Sequence, residues 1–382
     1  MRPRFTIDGS DELEARLATT CSHVLAGLQS SVPAAKLEAL LLGGGYGRGE
    51  GGVLKTPAGD RPYNDLEFYV CLRGNRWWNE TNFGPVLHAL GEELSPQAEV
   101  DVEFKIFSLD QLRRSPVNMF YYDLVMGHQW LVGDEELLSG CEHHREAHQL
   151  PLSEATRLLM NRCSGLLFAR HHLMQKPFTP VHADFAGRNL AKAQLAFGDV
   201  ILAAHGRYHW SCRERHARLQ EFSMQEELPW LPEVQRHHAA GLEFKLHPRK
   251  TTASASELAP QHSDLVNLGL KLWLWLESRR LQHPFASARD YARSPLDKCP
   301  ETNGWRNRLI NLRTFGPAQL LTGKSARYPR QRLFHTLALL LWEPAALQEA
   351  RMLRQLHREL GASAADFDGL VRAYEKLWRR FQ

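Results

Sequence analysis

The chain has 382 residues, with 47 Lys and Arg against 43 Asp and Glu, and 43% hydrophobic residues. This is the balance of an ordinary soluble globular protein of more than one domain. A formal charge of +4 over this length is no concentrated basic stripe, so no DNA partner is expected, although a contact with tRNA stays open.

The six cysteines (Cys21, Cys71, Cys141, Cys163, Cys212 and Cys299) lie far apart without a CxxC pair. They read as reduced thiols of a cytoplasmic protein, not as a disulfide frame or zinc ribbon. The first residues, MRPRFTIDGSDELEARL, lack the apolar core of a signal peptide. No apolar run reaches the ~18–20 residues that span a bilayer, so no membrane partner is expected.

In chain order, Ser10 is placed to cap a first helix with Asp11 and Glu12 near its positive end. Leu13, Leu17, Cys21, Val24 and Leu28 follow the helical period behind it. Leu37–Leu42 reads as a strand stopped by Gly43-Gly44-Gly45. A loop rich in Gly and Pro follows, then a second strand over 65–72, a helix over 81–94 and a third strand over 100–107. Residues 129–132 suggest one more strand. Beyond Pro151 helical periods dominate, over 153–173, 183–205, 263–283, 331–342, 345–360 and 364–381. Residues 250–260 read as a polar loop, and Ser363 with Asp366 suggests a capping box for the last helix. The expected fold class is α+β, with a mixed β-sheet and flanking helices in a domain over 1–140 and an all-α helical domain over 150–382.

The acids on the second and third strands carry the chemistry. Side chains alternate along a strand, so Asp65 and Glu67 share one face, roughly 6–7 Å apart, while Leu66, Phe68 and Val70 point to a core. Asp101 and Glu103 repeat the pattern. Carboxylates on neighbouring strands repel unless a cation lies between them, and such hard oxygen ligands suit Mg²⁺ or Mn²⁺. Two such ions could stabilise an in-line phosphoryl displacement. The run Gly43-Gly44-Gly45-Tyr46-Gly47-Arg48-Gly49-Glu50 follows a strand directly and is expected to open a short helix, where backbone N–H groups can approach phosphate oxygens. Arg48 is placed to add a charge-assisted contact.

Gly44-Gly45-Tyr46-Gly47-Arg48-Gly49-Glu50-Gly51 followed by Asn64-Asp65-Leu66-Glu67-Phe68-Tyr69-Val70 resembles the signature of the polymerase-β-type nucleotidyltransferase superfamily. The resemblance covers about residues 36–134. It implies that Gly44 and Gly45 hold a triphosphate and that Asp65 and Glu67 bind Mg²⁺ or Mn²⁺. Asp101 would complete the catalytic set and help activate an acceptor hydroxyl, with Glu103 as the competing choice. By the same likeness, Lys192 in the helical half would reach the phosphates. The implied activity is transfer of a nucleoside monophosphate from an NTP to a hydroxyl of a small-molecule acceptor, with release of pyrophosphate. The alternatives are a toxin-type enzyme acting on tRNA or protein, and a catalytically silent nucleotide-binding module. Two features depart from the pattern: Gly45 stands where Ser is commoner, and the segment 52–63 is longer than in minimal versions.

Three competing motifs are weaker. Gly47-x-Gly49-x-x-Gly52 matches a dinucleotide fingerprint, but Pro57, Gly59 and Pro62 leave no room for the crossover helix it needs. Gly316 and Gly323 are too far apart for a phosphate-binding P-loop. Cys141, His143, His144 and His148 have zinc-ligand character without a second cluster at metal spacing. Trp273 and Trp275 read as interior packing, not a base-stacking platform.

Overall fold

The computed structural model describes residues 4–224, 226–317, 325–364 and 366–382. The P-loop-like stretch 316–325 lies mostly outside the described residues. The fold is mixed α/β, with a small mixed sheet, helices on both of its faces and a large helical complement.

The chain begins with α1 (Asp11–Ser31), and the Ser10 side chain accepts a hydrogen bond from the Leu13 N–H, as the sequence predicts. β1 (Leu37–Leu42) runs into α2 (Gly44–Gly47), a single turn. The stretch read as a loop contains a hairpin, β2 (Val53–Thr56) with β3 (Gly59–Pro62). β4 (Leu66–Leu72), α3 (Arg76–Ala98), β5 (Val102–Phe107), α4 (Leu109–Arg114), α5 (Met119–Met126) and β6 (Gln129–Val132) follow.

The main sheet has the order β5-β4-β1-β6. β1 is antiparallel to β4 and β6, whereas β4 and β5 are parallel. An antiparallel β1–β4 pair joined through a hairpin is incompatible with a dinucleotide-binding βαβ unit, which needs parallel strands.

Alternation along the strands feeds two cores. Leu40, Leu42, Leu66, Phe68, Val70, Leu72, Val102 and Ile106 pack with the apolar stripe of α1 and with Leu87 of α3. Ala39, Leu41, Tyr69, Cys71 and Phe107 face the other way, onto Leu109, Leu112, Leu124 and Val125 of α4 and α5. Each fully buried Leu, Val or Phe contributes about 1.5–3 kcal/mol of transfer free energy, so register is strongly fixed: a one-residue slip would exchange the two faces.

The remaining helices are α6 (Leu152–Leu173), α7 (Pro180–Ala204), α8 (Cys212–Gln220), α9 (Leu231–Leu246), α10 (Ala255–Leu281), α11 (Ala288–Arg293), α12 (Gly304–Phe315), α13 (Arg330–Leu337), α14 (Ala350–Leu360) and α15 (Phe367–Phe381). Two compact units result. The first holds Met1–Pro151, His205–Met224 and His238–Arg249; the second holds Leu152–Ala204, Gln225–His237 and Lys250–Gln382. The sequence boundary near 150 therefore coincides with a structural one, but two later segments, including α8, belong with the sheet and not with the helical block expected over 150–382.

In the helical unit α6, α7 and α10 pack together. The polar stretch read as a loop contains the start of α10, through a complete capping box between Ser254 and Glu257. Trp273 is fully buried against Tyr291, Phe334 and Trp342, in agreement with a packing role. In α15 the N-cap is Asp366, and Leu370, Val371, Tyr374, Leu377 and Phe381 are its buried stripe.

Candidate active site

The site grows from the end of β1. Gly43 donates its N–H to the Glu67 carbonyl at 2.9 Å, tying the turn to β4 where the acids sit. Gly44 adopts φ +61°, a left-handed conformation that costs a glycine nothing. Gly47 lies so close to the preceding strand that a Cβ there would stand 2.1 Å from the Leu42 carbonyl oxygen. The buried Tyr46 closes the loop from inside: its hydroxyl donates to the Gly52 carbonyl and accepts from the Tyr63 N–H, both at 2.9 Å.

Glu50 fastens the far end of the turn. It is only 5% exposed, and its carboxylate receives the Ser211 hydroxyl at 2.5 Å, the Cys212 N–H at 2.8 Å and the Arg213 N–H at 3.4 Å, at the start of α8. Burial pushes its pKa up, but these hydrogen bonds together outweigh it and hold the carboxyl below the usual glutamate value. Glu50 is thus a structural anchor between the glycine turn and the returning segment.

A cavity of about 270 Å³ opens beside the turn. Gly43, Gly44 and Gly45 form one wall, and Asp65, Glu67 and Asp123 contribute carboxylates. Arg48 and Lys245 contribute cations. Arg48 lies 3.9 Å from Asp123, which also accepts the Tyr208 hydroxyl at 3.2 Å. The Lys245 ammonium donates to the Asn64 side-chain oxygen at 3.3 Å and stands 2.9 Å from where a Cβ on Gly45 would be. Burial and the nearby Arg48 push its pKa down to about 8, against the smaller opposing pull of Cys212, Glu50 and Glu67.

The sequence-derived candidates are therefore distributed unevenly. Gly44, Gly45, Arg48, Asp65 and Glu67 all line one cavity. Asp101 sits beside Asp65 across the parallel pair: the Leu66 N–H donates to the Asp101 carbonyl at 2.8 Å, and neighbouring strands run ~4.8 Å apart. It is exposed and lies one strand farther from the glycine turn, outside the cavity wall.

Glu103 pairs in register with Glu67. The cation between them is Lys105, whose ammonium is 3.3 Å from Glu67 and 3.5 Å from Glu103. Repulsion between these two acids is thus relieved by a lysine two residues along the same strand face, and Glu103 does not line the cavity. Lys192 is exposed on α7 in the helical unit; the lysine that lines the cavity is Lys245.

Among the described residues no three His, Cys, Asp or Glu side chains are grouped to hold a metal ion. The donor set still fits Mg²⁺ in the form that keeps several waters and binds one or two carboxylates plus substrate phosphates. Asp65 and Glu67 offer those carboxylates at the cavity, although the Tyr69 hydroxyl occupies one Glu67 oxygen at 2.8 Å. The zinc alternative fails: His143 and His144 bond the Ser115 and Leu112 carbonyls, at 3.0 and 2.9 Å.

A second cavity of about 710 Å³ lies within the same unit and also touches Gly47 and Arg48. Phe5, Leu25, Trp130 and Trp210 give it apolar walls, with His128 among them.

No family model, curated protein or solved structure matches this chain.

Proposed function

We propose that this protein is a nucleotidyltransferase of the polymerase-β type, moving a nucleoside monophosphate from an NTP to an acceptor hydroxyl. The observation that carries the reading is the meeting, in one cavity, of the glycine turn, the acids Asp65 and Glu67, and two cations, Arg48 and Lys245. A cavity of about 270 Å³ is near the lower end of ligand sites (~300–1,000 Å³), suited to the polyphosphate portion of a nucleotide.

In this reading the triphosphate lies on Gly44 and Gly45, with Lys245 and Arg48 balancing its charge. Mg²⁺ or Mn²⁺, held by Asp65 and Glu67 together with phosphate oxygens, would supply neutralisation of the phosphate charge. Asp123 orients Arg48 through their ion pair. Asp101, beside Asp65 and open to solvent, takes the proton of the acceptor hydroxyl. The hydroxyl oxygen forms a bond to the α-phosphorus as the bond to pyrophosphate breaks. Positioning and charge balance supply most of the rate, as in phosphoryl transfer generally.

A small hydroxylated molecule is the first choice of acceptor, because a formal charge of +4 over 382 residues makes no concentrated basic stripe for a polymer. Label found on RNA or on protein in the test below would assign the toxin-type alternative instead. The test is incubation with each labelled NTP, Mg²⁺ or Mn²⁺ and a mixed acceptor extract, with Asp65→Asn alongside. Transfer by the native chain and its loss in a folded Asp65→Asn variant are expected. Transfer that survives the substitution refutes the site, and binding of NTP without transfer to any acceptor assigns a silent nucleotide-binding module instead.

A further inference from the structure

Helix α12 is built inside out. Its inward positions Asn307 and Asn311 are 2% and 1% exposed. Asn307 donates to the Thr302 hydroxyl and the Ala326 carbonyl, and Asn311 to the carbonyls of Ser325 and Arg327, all within 2.8–2.9 Å. Large apolar side chains point the other way: Trp305 is 76% exposed and Leu309 58%. Trp305, Leu309 and Arg313 follow at i, i+4 and i+8, so they form one outward row, with Arg306 and Arg308 on its two flanks.

The sequence that carries this row has charge of a single sign. Between Glu301 and Glu343 the sequence contains seven Lys and Arg and no Asp or Glu. Arg327, Arg330 and Arg332 are engaged with backbone carbonyls. Arg306, Arg308 and Arg313 are exposed and have no ion-pair partner among the described residues; Arg308 lies over the Trp305 ring at 4.9 Å.

We propose that this outward face of α12 docks single-stranded RNA. Three unpaired arginines complement a phosphate chain, and an exposed indole beside a guanidinium is a platform for an unpaired base. Loops and ends of RNA present such bases, whereas a duplex keeps them stacked inside. A membrane surface is a poorer fit, because interfacial helices bury a wide apolar face and here it is two residues broad. The inference stands apart from the nucleotidyl-transfer reading, since α12 belongs to the helical unit and shares no residue with the candidate active site.

The test is fluorescence anisotropy of a labelled 20-nucleotide single-stranded RNA with the full chain, between 50 and 200 mM salt. Three phosphate contacts at a slope of ~0.7 each predict affinity falling about 20-fold over that range. R306A/R308A/R313A should flatten the dependence, and Trp305→Ala should weaken binding by about 5- to 150-fold. Asp65→Asn should bind RNA as the native chain does. Absence of RNA binding at 50 mM salt, binding unchanged in both α12 variants, or binding of phosphatidylserine vesicles in place of RNA would each overturn the proposal.

Discussion

Lys245 offers the most direct physical test of the candidate phosphate site. Its pKa of about 8, against an ordinary 10.5, means that burial disfavours the ammonium form in the folded protein. A lysine with a lowered folded pKa costs stability at neutral pH, and the cost is relieved as pH rises through about 8 toward 10.5. The shift corresponds to at most about 3 kcal/mol; because the side chain is only half-buried, about 1–2 kcal/mol is the expected cost. A polyanion on the glycine turn would favour the ammonium and so take up a proton on binding. At pH 7 about nine lysines in ten are charged, and at pH 9 about one in ten, which predicts roughly tenfold weaker binding at the higher pH.

The assay is calorimetric titration of inorganic tripolyphosphate without metal, from pH 7 to 9, on the native chain and Lys245→Met in parallel, so that the ligand's own last proton, which also comes off in this range, cancels between them. In Lys245→Met the weakening toward pH 9 should be absent, leaving only the ligand's own titration, binding at pH 7 should weaken by about tenfold or more, and the unliganded protein should be no less stable than the native one. A pH dependence that is the same in the native chain and in Lys245→Met would refute the placement of the polyphosphate against this lysine.

Glu50→Gln should cost about 2–4 kcal/mol in urea unfolding, because both carboxylate oxygens accept donors and an amide must turn its NH₂ toward one of them. Since the folded pKa of Glu50 lies below normal, its contribution is present above the usual glutamate pKa of 4.5 and is lost as pH falls through the lower folded value; the acid limb of the stability curve should flatten in the variant. The choice between Asp101 and Glu103 is open to a paired comparison of transfer rates. Asp101→Asn should lower kcat by about 10²-fold or more with little change in tripolyphosphate binding, whereas Glu103→Gln, which removes only a partner of Lys105, should act by less than tenfold.

Much of the sheet was legible in the sequence. The alternation over β4 separates Asp65 and Glu67 from Leu66, Phe68 and Val70, and the structure puts those three apolar side chains in one core and the acids on the opposite face. The bend at Gly43 follows from glycine's permitted backbone, and the burial stripe of α1 from a helical period. The β2–β3 hairpin escaped notice because Pro57, Gly59 and Pro62 mark turns without showing that short strands lie between them. The start of α10 had a local signal, the Ser254-x-x-Glu257 box, hidden in a polar composition.

The polar partners of the site were not legible in the same way. Lys105 could have been found, two residues beyond Glu103 on the same strand face. Asp123 and Lys245 could not: they reach the glycine turn from α5 and from the end of α9, about 80 and 200 residues along the chain. By itself the sequence determined the strands, the glycine bend and the facing of the acids, because backbone periodicity and sterics act between near neighbours. Only the tertiary structure decided that 205–224 and 238–249 return to the sheet unit, and with them which lysine stands over Gly45. That return depends on burial and charge pairing between residues far apart in sequence, such as Glu50 with Ser211 and Cys212, and no local pattern encodes it.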